Sequence, residues 1–165
     1  MRKILLSVVI FTTVVVGSGG VGAISEELEG AVSVNCASIM GQLKNVRYYD
    51  RKAREYLGNR YERLISGMVV NLNVRLVRNN ISNGRLAEVQ VGLVGIHGRF
   101  KSAYGKYATE MDVLMGMDCA GQPGKFYAEL EKVRGLRAAV RKEVDEMNEG
   151  LVEFRAAVEE LRGVL

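Results

Sequence analysis

Three long runs of apolar residues spaced at steps of three and four dominate the chain. In the first, Ile39, Leu43, Val46, Tyr49, Ala53, Leu57, Tyr61, Leu64, Met68, Leu72 and Leu76 fall on one face of a helix. In the second, Leu86, Val89, Leu93, Ile96, Phe100, Ala103, Tyr107, Met111 and Leu114 do the same. The third runs from Phe126 through Leu130, Val133, Leu136, Val140, Val144, Met147, Leu151, Phe154, Val158 and Leu161 to Leu165. The only proline is Pro123, so nothing else of that kind interrupts these segments.

The breaks between runs carry turn chemistry. Asn79-Asn80-Ile81-Ser82-Asn83-Gly84 separates the first run from the second, with Asn80 or Ser82 expected to cap the second helix. Gly116 to Gly124 separates the second from the third, and Pro123 suits a first helical turn. The pattern predicts an all-α fold, an elongated antiparallel three-helix bundle running up-down-up, whose outer helices would each be roughly 60 Å long. Ser25-Glu26-Glu27-Leu28-Glu29 offers a capping residue ahead of acids, the start of a short extra N-terminal helix, although Gly30 and the β-branched residues after it oppose one. Gly92-x-x-Gly95-x-x-Gly98 has no strand before it, so it reads as close helix approach or looseness rather than a phosphate loop.

Upstream of the runs, Met1-Arg2-Lys3, the apolar stretch Ile4 to Val16 and the small residues Gly17 to Ala23 follow the order of a secretory signal peptide. Residues 1–23 are therefore expected to be removed, leaving a helical bundle domain over 24–165. The competing reading is an uncleaved anchor, which Gly17, Gly19, Gly20 and Gly22 oppose because they weaken a helix. Export implies a secreted, periplasmic or cell-surface location, and no second apolar segment follows to span a membrane.

Export also changes what the two cysteines mean. Cys36 opens the first run and Cys119 closes the second, so an antiparallel hairpin brings them to the same end. Equal travel out and back places the turn between Val77 and Arg78, and the turn residues begin at Asn79. A disulfide between Cys36 and Cys119 is the expectation.

Charge is distributed unevenly. Arg2 and Lys3 leave with the signal, so the formal charge of +4 falls to +2, and global basicity argues nothing about nucleic acid. From Lys44 to Arg63, seven basic residues face three acidic ones; from Arg141 to Glu160, three basic residues face seven acidic ones. The two segments would attract each other or present faces of opposite sign. Lys44, Arg47, Arg51, Arg54, Arg60 and Arg63 form the candidate interaction face, interleaved with Tyr48, Tyr49, Tyr56 and Tyr61. Such a face suits an acidic protein or an anionic envelope; a nucleic-acid reading is disfavoured because Tyr49 and Tyr61 lie on the apolar stripe.

Catalytic, metal and cofactor chemistry finds little support. His97 is the only histidine, so neither a His-rich zinc site nor a Glu-x-x-His centre is available. Ser33, Ser38, Ser66, Ser82 and Ser102 lack a nucleophile-elbow context. Met111, Met115 and Met117 approach Cys119 at the end that also holds Met40 and Cys36, a set that suits copper(I) when the thiols are free, whereas core packing explains the methionines when they are not. Asn80-Ile81-Ser82 matches a glycosylation sequon.

The layout of signal, Cys36, Tyr56-Leu57-x-x-Arg60, Leu93 with Phe100, Asp118-Cys119, Phe126-x-x-x-Leu130 and Arg134-x-x-Arg137 resembles uncharacterised secreted helical-bundle proteins of candidate phyla radiation bacteria. That resemblance implies a helical bundle and no activity. A looser similarity is to Skp-like periplasmic chaperones, which are exported, basic and helical but carry a β-containing body that this pattern lacks. The expected function is thus a non-enzymatic secreted or envelope-associated coiled-coil-like bundle serving interaction, adhesion or scaffolding. The alternative is a periplasmic holdase for unfolded clients.

Overall fold

In the computed structural model, residues 24–163 are described. The expected signal peptide and Leu165, the last position of the third run, lie outside them. The described chain is helical, with no strand among the described residues.

Helix α1 (Glu26–Val34) begins where Ser25 accepts a hydrogen bond from the Leu28 amide at 3.3 Å, with Glu26, Glu27 and Glu29 in the first turn. Gly30 does not stop it. Its Val32 is buried, and Ser33 Oγ donates to the Ala120 carbonyl at 3.0 Å, tying the helix to the loop around Cys119. The N-terminal helix anticipated from the capping residue is therefore present.

Helix α2 (Cys36–Leu64) passes without a break through a π-helical turn (Ile65–Val69) into α3 (Val70–Arg78). Ser66 sits inside that turn and donates its hydroxyl to the Glu62 carbonyl, an alternative to the regular ladder that Ser readily offers. The wider turn shifts the phase of the buried face. Ile65 and Val69 are buried where Leu64 and Met68 were expected, and Met68 is left largely exposed.

At the end of α3 the chain reverses as the cysteine spacing requires. Asn80 takes up φ 56°. Around it, the Ile81 amide donates to the Leu76 carbonyl at 2.9 Å and the Asn80 amide to the Val77 carbonyl at 3.1 Å. This is a Schellman closure with asparagine in the left-handed position, and Ile81 packs on buried Leu76 as the motif demands. Because Asn80 is spent on terminating α3, neither it nor Ser82 caps the next helix. Asn83 does, accepting from the Leu86 amide at 2.9 Å.

Helix α4 (Gly84–Met115) ends before a loop in which Asp118 accepts from the amides of Ala120 and Gly121. Pro123 then opens α5 (Pro123–Arg162), whose 40 residues extend about 60 Å. Helices α4 and α5 form the most extensive pairing, tightly packed at Gly150, where an added Cβ would stand 2.8 Å from Leu93 Cδ2. The glycine triplet at 92, 95 and 98 is not the place of close approach. A Cβ at Gly92 or Gly98 would meet nothing within 4 Å, because these residues face outward.

The core divides into three groups along the helices. The group nearest the cysteines contains Leu43, Met111, Leu114 and Phe126; the middle one contains Tyr61, Val69, Leu93 and Met147; the one at the Asn80 turn contains Leu76, Leu86, Ala157 and Leu161. A disulfide joins Cys36 to Cys119, with Cα atoms 5.5 Å apart and a sequence separation of 83. Met40, Met115 and Met117 pack against the cysteine-end group as apolar filler, and the joined sulfurs leave no thiolate for a soft metal.

Three stability changes are expected. Reducing the Cys36–Cys119 bond lowers unfolding free energy by about 2–4 kcal/mol, because it frees a long loop in the unfolded chain; urea melts with and without reductant measure it. Gly98→Ala raises stability by about 0.5–1 kcal/mol by removing a glycine penalty in open space. Gly150→Val lowers it by about 1–3 kcal/mol by overpacking against Leu93; thermal melts of the two variants should move in opposite directions.

Candidate functional site

The basic face expected on α2 is split between two directions. Lys44, Arg51, Arg60 and Arg63 are exposed, and no carboxylate lies within ion-pair distance of them among the described residues. Tyr48, Tyr49 and Tyr56 stand among them with 49%, 68% and 67% of their surface exposed. Tyr49 was expected on the buried stripe; its neighbour Asp50 turns inward instead. Of the four tyrosines, only Tyr61 is buried.

Arg47 and Arg54 point the other way, toward α4. Arg47 pairs with Asp112. Arg54 lays its guanidinium over two rings of α4, 5.7 Å from the Phe100 centroid and 5.5 Å from that of Tyr104. The guanidinium rests against Gly58, where a side chain would collide with it.

Beneath Arg54 lies an open groove of about 560 Å³ between α2, α4 and α5. Phe100 and Tyr104 form its floor, Ala53 and Leu57 one wall, Val140 and Val144 the other. At one end Asp50 accepts a bidentate pair of hydrogen bonds from Arg137, at 2.7 and 2.8 Å, and a third from the Tyr107 hydroxyl at 2.5 Å. About one helical turn past the lining residues Leu57 and Val144, the Tyr61 hydroxyl donates to Asn148 Oδ1 at 3.3 Å.

The polar end is electrostatically closed. Burial pushes the Asp50 carboxyl up, but the hydrogen bonds from Arg137 and Tyr107 and the charge of Arg137 outweigh it, and its pKa is lowered. Burial, followed by the hydrogen bond to Asp50 and that carboxylate's charge, drives the Tyr107 phenol far above its ordinary value. Tyr107 therefore remains a donor throughout the physiological range.

His97 is buried in α4, with Nε2 3.5 Å from Glu62 Oε2. Burial and the nearby Lys101 charge lower its pKa, with Glu62 opposing, so the ring is neutral at neutral pH. The basic stretch of α2 and the acidic stretch of α5 do not attract each other directly: among the described residues no ion pair joins them. The acids are met by α4, Arg99 pairing with Glu143 at 2.9 Å and with Glu146, and Arg85 with Glu160.

Asp50, Arg137, Tyr104 and Tyr107 were not singled out as site residues from the sequence. Asp50 carried a signal, an acid beside the apolar stripe of α2, but its partners lie 57 and 87 residues away. No local pattern connects them. No helix among the described residues is long and apolar enough to cross a membrane, and none of their His, Cys, Asp and Glu side chains form a metal-binding group of three or more. No family model, curated protein or solved structure matches the chain.

The Asp50 network makes a signed pH prediction. A carboxyl whose folded pKa is lowered contributes stability above its unfolded value and loses it as pH falls through the folded one. Asp50→Asn should cost about 1–2 kcal/mol at pH 7, a figure reduced for the solvent exposure of Arg137. The difference from wild type should shrink toward zero as pH falls below the ordinary value of 3.8; urea titrations at pH 7 and at acid pH test it.

Proposed function

We propose that this protein works outside the cytoplasm as a non-enzymatic helical module for protein interaction, adhesion or scaffolding, with its three long segments arranged up-down-up. The disulfide and the signal-like N-terminal sequence support export. The register of the pairings supports the arrangement: on α2 and α5, Asp50 faces Arg137 and Tyr61 faces Asn148, whereas α4 runs against α2 with Asp112 at Arg47 and Lys101 at Glu62.

The observation that carries the functional reading is the exposure of Tyr48, Tyr49 and Tyr56 among Lys44, Arg51, Arg60 and Arg63. Isolated helix surfaces do not need tyrosine for solubility. Aromatic rings beside guanidinium groups are the residues that dominate contact energies at protein interfaces. Their charge selects an acidic protein or an anionic envelope component. A holdase is the second reading, favoured by the open groove beside α2 and by the outward glycines of α4.

The test compares the wild type with a Tyr49→Ala, Tyr56→Ala, Arg60→Glu variant for retention on native cell envelopes. The interaction reading expects retention to fall about ten-fold or more at unchanged helicity. Retention unaffected by these changes, together with suppression of aggregation of an unfolded client by both proteins, supports the holdase instead.

A further inference from the structure

We propose that the groove between α2, α4 and α5 is a binding site for an amphipathic anion, a molecule of fatty-acid size with an apolar body and one anionic head. This goes beyond the surface reading above and does not depend on it, since the exposed tyrosines of α2 take no part.

The shape limits the occupant. The Asp50–Arg137 pair lies among the lining residues, and the Tyr61–Asn148 hydrogen bond joins the same two helices again 11 positions further along both α2 and α5. That separation corresponds to about 16 Å along each helix. A small molecule of about that length can lie between the two bridges without breaking either. A volume of about 560 Å³ falls within the range of small-molecule sites.

The lining specifies two chemistries. The floor and walls, from Phe100 and Leu57 to Val140 and Val144, are apolar and favour a hydrocarbon or aromatic body. The rim is cationic. Arg54, Arg134, Arg137 and Arg141 line the groove against only two carboxylates, Asp50 and Asp145. Arg137 is engaged by Asp50 and Arg134 by Glu131, while Arg54 and Arg141 have no carboxylate within ion-pair distance among the described residues. Arg54 is already oriented by its stacking over Phe100 and Tyr104 and by the absence of a side chain at Gly58. A guanidinium held over two rings in this way presents its N–H groups to a carboxylate or similar oxyanion with little ordering left to do.

Calorimetric titration of the disulfide-bonded protein with dodecanoate, kept monomeric, tests the proposal. Dodecyltrimethylammonium carries the same chain with the opposite charge, and acetate carries the head without the chain. One dodecanoate is expected to bind per protein, with the cation and acetate each about ten-fold weaker or more. Arg54→Gln should weaken dodecanoate about ten-fold, and Ala53→Trp, a solvent-exposed wall position, should block it by filling the groove; circular dichroism confirms that both stay folded. Should Ala53→Trp fail to fold, Arg54→Gln alone decides. No dodecanoate binding, equal binding of the cation, or wild-type affinity in a folded variant would each overturn the assignment. None of these results bears on envelope retention through Tyr49 and Tyr56.

Discussion

The bond between Cys36 and Cys119 fixes the start of α2 beside the end of α4, and everything α2 does afterwards follows from that anchorage. Leaving the disulfide, α2 travels alongside α4 and is pinned to α5 at two places, Asp50 with Arg137 and Tyr61 with Asn148. The Asn80 turn then returns the chain into α4, and α4 delivers Cys119 back to its partner. Around the sulfurs, Leu43, Met111, Leu114 and Phe126 are buried together, so the covalent link and the apolar packing reinforce one another at the same end. A chain with nineteen glycines, many of them in helices, gains from a bond that restricts its unfolded state.

Uneven packing produces the groove. Helices α4 and α5 approach closely because Gly150 admits Leu93, whereas α2 meets α5 mainly through polar side chains at two points. Between these points the apolar floor of Phe100 and Tyr104 is covered by a guanidinium rather than by an aliphatic side chain. Helices α2 and α5 thus bring arginines to the rim of an apolar groove floored by α4, and α2 turns three of its tyrosines away from it. One helix contributes to two surfaces of different chemistry, an apolar groove with a cationic rim inward and an aromatic, basic face outward.

Much of this was legible in the residues themselves. The period of the third run reports α5 faithfully, since Phe126, Val133, Met147 and Leu161 are all buried, and the midpoint of the cysteines lands beside the turn. Periodicity fails where the helix stops being regular or where a buried position is polar. The π turn at Ile65–Val69 exchanges Leu64 and Met68 for Ile65 and Val69, a shift that a uniform repeat cannot encode. Asp50 displaces Tyr49 from the inner face because Arg137 and Tyr107 satisfy it, and those partners arrive only with tertiary structure. The cap at Asn83 was missed for a similar reason: the identity of the capping residue depends on Asn80 having been drawn into the left-handed closure of α3. The groove is a property of helix spacing, and spacing has no signature in a single run of residues.

The groove and the exposed tyrosine face of α2 both depend on where α2 is held, and α2 is held first by sulfur. Proteolysis under non-reducing conditions followed by mass mapping addresses that dependence most directly. The fragment bearing Cys36 is expected to emerge covalently joined to the fragment bearing Cys119. Two separate fragments, each with a thiol that alkylates in the native protein, would contradict it.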